Sequence, residues 1–296
     1  MFKNKIFNGV ILVSIGASSY GMLATFVKMA YTEGFSTAEV TISQFVLGLI
    51  GMMCIIGFQF LKNKQKITYP NPKNRFQLML AGTSLGLTSV FYYCCLHYIE
   101  VSIAIILLMQ TVWMGVFLEA ILTKKRPSIQ KTAAVFIVLI GTVFASKLLN
   151  SALVFSWQGF ALGLLSAASF TTTMFTANHI AIGVTTSIRS FYMLLGGAIV
   201  VFIFAFFTQH TDFNFLIFLK WGILVSLFGT VIPPLLFNAG FPLTGIGLGS
   251  IVASLELPVS VLMAYFLLHE KVDFLQWIGI ILIIFAIIIM NIKFKK

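Results

Sequence analysis

Apolar stretches about 20 residues long, separated by short polar breaks, constrain the fold of this chain more than any other feature. A helix rises about 1.5 Å per residue, so some 20 apolar residues match a bilayer core of about 30 Å. Stretches of this kind run near 7–28, 38–60, 76–98, 101–122, 131–148, 157–178, 186–208, 217–238, 245–268 and 274–292. The longest polar link, Leu61–Asn74, holds four lysines around Pro70 and Pro72, and no soluble domain fits between the stretches. Of the 296 residues 59% are hydrophobic and 9% charged, against about 25% charged in soluble domains. Lys3, Lys5 and Ala17-Ser18-Ser19 imitate a signal peptide, but the apolar run continues through Met22, Leu23, Phe26 and Val27. The first stretch therefore reads as an uncleaved spanning helix. The expectation is an all-α integral membrane protein with ten transmembrane helices.

An even number of crossings puts both termini on one side, and charge selects the side. With the termini in the cytoplasm, the inside segments carry Lys3, Lys5, Lys62, Lys64, Lys66, Lys73, Arg75, Lys124, Lys125, Arg126, Lys131, Arg189, Lys293, Lys295 and Lys296. The outside segments carry Lys28, Lys147, Lys220 and Lys271, together with Glu33, Glu39, Glu100, Asp212, Glu270 and Asp273. This positive-inside bias predicts a multi-pass protein of a bacterial cytoplasmic membrane, both termini cytoplasmic.

The formal charge of +11 is spread over these short links, so it reads as topology rather than as a nucleic-acid surface. Cys54, Cys94 and Cys95 lie in apolar runs without metal-ligand spacing, and the four histidines are scattered. No cofactor or metal is expected. Paired aspartates, clustered histidines and a Ser/His pair are all lacking, so an enzyme is not the expectation. A phosphate-binding G-x-x-x-x-G-K-[ST] loop is lacking too.

The chain also repeats itself. Shifted by 146 residues, the segment from Val116 overlays the segment from Leu262: in each, an apolar run, a charged turn and another apolar run. At a slightly different offset, Gly16–Gly21 matches Ser166–Thr171. Five helices per half is an odd number, so the second half enters the membrane upside down. Residues 1–149 and 150–296 then form two inverted five-helix repeats, a build in which the substrate site lies between the halves near the midplane.

With these features the chain resembles the drug/metabolite transporter superfamily, and within it the EamA type. Leu257-Pro258-Val259, then His269-Glu270-Lys271, then Trp277-Ile278-Gly279 follow that family's pattern at the end of the second repeat. The first repeat departs from it: Val112 stands in place of the proline, Lys124 in place of the glutamate, and Gln44 where an early arginine is common. The resemblance implies a ten-helix transporter of small metabolites or amino acids, usually an exporter, with helices 1, 3, 4, 6, 8 and 9 around its cavity.

Glu256, near the middle of the ninth stretch, is the sharpest functional signal. A charge at the bilayer centre costs about 2.5–3.5 kcal/mol even on insertion scales, so it should face a cavity or a partner. It could bind a substrate amine, carry a proton, or hold packing. Pro258 leaves the carbonyl of Ser254 without its helical donor, which makes Ser254 and Pro258 a candidate polar kink. Pro233 and Pro234 similarly orphan Gly229 and Thr230 and mark a hinge, followed by Asn238. The 146-residue shift sets Gln110 opposite Glu256, and Trp113 shares its helix face. Tyr20, Tyr92, Tyr93, Thr171, Thr172 and Met174 are mid-depth candidates for the cavity wall. Glu119 is expected to pair with Lys124 or Lys125. The expected substrate set is therefore Glu256, Gln110, Trp113, Ser254, Tyr20, Tyr92, Thr172 and Asn238, with Pro258, Pro233 and Pro234 as kinks. The expected partners are a small-molecule substrate, the lipid bilayer and protons, in a monomer or weak homodimer. The alternative is a channel or scramblase, or a structural membrane protein that transports nothing.

Overall fold

The computed structural model describes residues 2–62, 67–99, 101–146, 156–269 and 271–291. Among them every regular element is helical. Lys64, Lys66, Glu100, Lys147, Glu270, Lys293, Lys295 and Lys296, used above to orient the chain, lie outside the described residues.

The elements are α1 (Phe2–Thr32), α2 (Thr37–Lys62), α3 (Pro72–Cys95), α4 (Val101–Leu108), α5 (Thr111–Thr123), α6 (Ile129–Ala145), α7 (Trp157–His179) and α8 (Thr186–Thr208). They continue with α9 (Ile223–Ser226), α10 (Ile232–Thr244), α11 (Ile246–Ala253), α12 (Glu256–Leu267) and α13 (Phe274–Asn291). Two π turns, Phe218–Gly222 and Leu227–Val231, join α9 and α10 into one rod. Helix starts follow local chemistry. Ser36 and Glu39 form a reciprocal capping box before α2, with bonds of 3.1 and 2.7 Å. Asn71, Ser128 and Ser156 cap α3, α6 and α7 through their side chains. Such oxygens satisfy amide groups that have no partner in the helix.

Eight of the helical rods are long and apolar enough to cross a membrane. Ile129–Ala145 and Phe274–Met290 are apolar but shorter, and they occupy the places expected for the fifth and tenth crossings. Phe58, Phe60, Leu80, Phe136, Phe206 and Ile281 are exposed on the outside of the bundle. In water such a belt would be unfavourable; in lipid it is solvated, and polar groups turn inward.

The two halves carry the same backbone features. Gly34 after α1 and Ala181 after α7 both have positive φ, 87° and 52°. Lys124 after α5 and His269 after α12 both have φ of 52°. The rods α4–α5 and α11–α12 are interrupted alike: Gln110 donates to Leu107 at 3.1 Å as Leu255 donates to Val252 at 3.2 Å, and Val112 to Met109 at 3.1 Å as Leu257 to Ser254 at 3.2 Å. These matches set the offset in this region at 145. The 146-residue shift is thus corrected by one: Thr111, not Gln110, is the counterpart of Glu256, each the first residue of its second half-helix.

Glycines bring the rods together. A side chain at Gly82 would overlap the backbone of Met193, and one at Gly196 the backbone of Met79. Helices α3 and α8 therefore touch backbone to backbone, the close approach that small residues permit in lipid.

Candidate functional site

A cavity of about 230 Å³ lies between the second half of α1, the end of α3, α4, the middle of α7 and the start of α12. Glu256 and Ser260 reach it from α12, one turn apart on one face. Tyr20 and Tyr31 come from α1, Tyr92 and Tyr93 from α3, and Phe170 and Thr173 from α7. The exposed Lys28 stands at its mouth. The break between α11 and α12 explains how Glu256 enters: it opens a new half-helix, so its side chain leaves the rod where the helix turns tighten. Gly21 lies against the Glu256 carbonyl, with its would-be Cβ 2.8 Å from Val259 Cβ. This contact draws α1 against the start of α12 and brings Tyr20 near the carboxylate.

Among the described residues the Glu256 carboxylate forms no ion pair, and only Ser260, Thr88, Ser89, Thr173 and the tyrosines offer hydroxyls around it. Apart from these groups and Lys28 at the mouth, the walls are apolar and aromatic. Such a site suits a small molecule with one cationic group and an apolar body. Gln44, buried on α2, accepts a 3.3 Å bond from the Tyr93 hydroxyl and so positions that ring.

The cavity ends on an aromatic floor. Tyr20 meets Phe170 edge-on at 5.9 Å and Phe237 at 5.6 Å, and Phe237 meets Phe241 at 5.1 Å. Beneath them Val10, Val13, Ala17, Met174 and Ala177 close the bundle.

The expected site residues divide sharply. Glu256, Tyr20 and Tyr92 line the cavity together. Trp113 is 40% exposed on the outer surface, and the Gln110 amide is satisfied beside it, accepting from Trp113 Nε1 at 2.9 Å and donating to Ile106 at 3.0 Å. This pair faces away from the cavity because the α4–α5 break turns the helix face; Ile105 and Leu108 face inward instead. Thr172 is also exposed, its hydroxyl bonded to Ala168, while Thr171 is buried and bonded to Thr111 at 2.8 Å. Ser254 is buried and donates to Ile251 at 2.6 Å. Its carbonyl is not orphaned by Pro258, because Leu257 supplies the donor. Asn238 is buried inside α10, donating to Ser190 at 2.9 Å, and does not line the cavity.

Pro233 and Pro234 open α10 after the second π turn. There the Phe228 carbonyl accepts from Ser19 of α1 at 2.9 Å, which docks a neighbouring rod. Glu119 pairs with Lys131 rather than Lys124 or Lys125. The sequence reading missed Lys28, Tyr31, Ser89, Phe170, Thr173 and Ser260 as cavity walls. Only Ser260, four residues from Glu256, carried a positional signal.

The model of the EamA-like transporter family matches residues 7–147 and again 157–292. The chain belongs to the EamA-like transporter family. It is a multi-pass membrane transporter built from two EamA repeats. A solved crystal structure shares its fold at 13% identity, with a TM-score of 0.76 over 97% of each chain. A comparison with curated proteins finds no match. In this EamA protein the cavity that holds Glu256 lies among helices of both repeats, with Glu256 supplied by the second.

Proposed function

We propose that this EamA protein is a secondary transporter that exports a small ammonium-bearing metabolite, an amino acid or a related compound, by alternating access. The observation that carries the reading is a carboxylate, Glu256, without an ion pair among the described residues, in an aromatic cavity with a packed core beneath it. Such a cavity serves a carrier that opens to one face at a time better than it serves a channel. In this reading the halves are inverted five-helix repeats (residues 1–149 and 150–296), ten crossings place both termini in the cytoplasm of a bacterium, and the cavity faces outward. Glu256 holds the ammonium group, the tyrosine rings hold the apolar body and add cation–π attraction, and a proton competes for the carboxylate when substrate leaves.

The test is flux in proteoliposomes over a panel of amino acids and organic cations, with and without a pH gradient, for the wild type and Glu256→Gln. Substrate-dependent flux that falls at least about tenfold in the variant, a loss of about 1.4 kcal/mol of binding, supports the reading. Equal flux in the two proteins, unaffected by the gradient, removes both the ammonium site and the proton.

A further inference from the structure

Opposite the cavity mouth, beneath the aromatic floor, lies a second polar cluster that the cavity does not use. Arg189, in the first turn of α8, is 2% exposed. No carboxylate among the described residues pairs with it. Its guanidinium donates instead to three carbonyls: Ala177 at 2.6 Å, Ile180 at 3.1 Å and Asn238 at 2.8 Å. Ala177 and Ile180 belong to the end of α7, where carbonyls lack helical donors and a cation is favoured. Asn238 belongs to α10. Beside this cluster, Asn178 of α7 donates to the Phe241 carbonyl of α10 at 2.6 Å. Ser190 of α8 donates to Pro234 of α10 at 3.0 Å. One guanidinium and two short polar side chains thus tie three rods together at the closed end.

The chemistry of the cluster favours release. Separating a buried arginine from a carboxylate would leave two uncompensated charges. Separating it from neutral carbonyls exposes one ion and a few dipoles that entering water can satisfy. One acceptor is unsatisfied even in the closed state, since Asn238 Oδ1 is buried and has no partner. Opening would give it water. The repeat relation points to the same gap. The cavity lies between α1 and α3 of the first half; their counterparts in the second half are α7 and α10, the rods that Arg189 and Asn178 bridge.

We propose that Arg189, with Asn178 and Asn238, is a releasable clasp that holds shut the end where α1 begins, and that its carbonyl contacts part whenever the cavity opens to that face. The clasp rests on the alternating-access reading above. Its test uses the protein in lipid nanodiscs with Cys54, Cys94 and Cys95 replaced, so that both faces are reached by a membrane-impermeant maleimide. Val13→Cys reports the floor, and Ala24→Cys reports the cavity wall.

Arg189→Gln should raise labelling at position 13 by about tenfold or more, a shift within reach of lost charge-assisted bonds, and slow labelling at position 24. Arg189→Lys should fall between it and the wild type. Asn178→Ala, which keeps the guanidinium, should move labelling in the same direction by less, and it decides the matter alone should Arg189→Gln fail to fold. Labelling at position 13 that is measurable in the wild type and unchanged in folded variants overturns the clasp but leaves alternating access standing. Position 13 unlabelled in every protein, with transport intact, overturns both.

Discussion

Substituting Gly21 by alanine tests how closely the site depends on one interhelical contact. The new methyl carbon would stand 2.8 Å from Val259 Cβ and 3.1 Å from the Ser260 amide nitrogen, and closer still to the Glu256 carbonyl oxygen. Carbon atoms in contact prefer about 3.5–4.0 Å, so α1 or α12 must move by about 1 Å. The obstacle is mostly backbone, which cannot swing aside as a side chain can. Overpacking of this kind costs about 1–3 kcal/mol, and replacing glycine by alanine in a helix returns up to about 1 kcal/mol. With the full return the net destabilisation is up to about 2 kcal/mol, expressed where Tyr20 and Glu256 face the same cavity. Gly21→Ala should lower the unfolding midpoint in detergent by a few degrees. It should also weaken substrate affinity by about tenfold, the equivalent of about 1.4 kcal/mol, while Gly34→Ala, in open space but at positive φ, should affect stability alone. A Gly21→Ala protein with wild-type midpoint and wild-type affinity would refute the claim that this contact positions the site.

Further outcomes follow from the periphery. Glu33 accepts from Lys220 at 2.8 Å and Trp221 at 2.9 Å, which hold its carboxyl below the ordinary 4.5. A depressed carboxylate stabilises the fold above pH 4.5 and loses that contribution as pH falls through its lowered value; Glu33→Gln should therefore differ from the wild type at neutral pH and converge with it in acid, and a gap constant with pH contradicts this. The Glu119–Lys131 pair sits against the start of α11 at Gly245 and Gly247, so a double-mutant cycle on the two residues should give a coupling of about 1 kcal/mol, read from unfolding midpoints. Gln110→Ala and Thr172→Val lie outside the cavity and should leave flux within about twofold, as surface substitutions do; a larger fall would return them to the transport path.

Legibility differed by scale. The rods and their order could be read from hydropathy, because the bilayer demands apolar runs of about 20 residues, and the repeat from the overlay of the two halves. Glu256 could be read as a cavity residue because a lone carboxyl in an apolar helix has few tolerable environments, and Tyr20 and Tyr92 share its cavity. Gln110 and Trp113 were misplaced by two local effects. An offset of 146 instead of 145 shifted the equivalence by one residue, and the interruption at Met109–Gln110 rotated the following half-helix away from its ideal face. Asn238 was misread because depth along a helix says nothing of which neighbour its side chain meets; here that neighbour is Ser190.

By itself the amino-acid sequence settled that lipid is the solvent of this chain and that two similar halves build it, since both follow from patterns along one dimension. Tertiary structure decided which polar groups share a cavity and which merely satisfy one another. That choice depends on helix rotation and on interruptions such as Ser254–Leu255, where a displacement of one residue turns a side chain by about 100° on a helix of 3.6 residues per turn. A shift too small to alter hydropathy thus carries a residue from the cavity to the lipid.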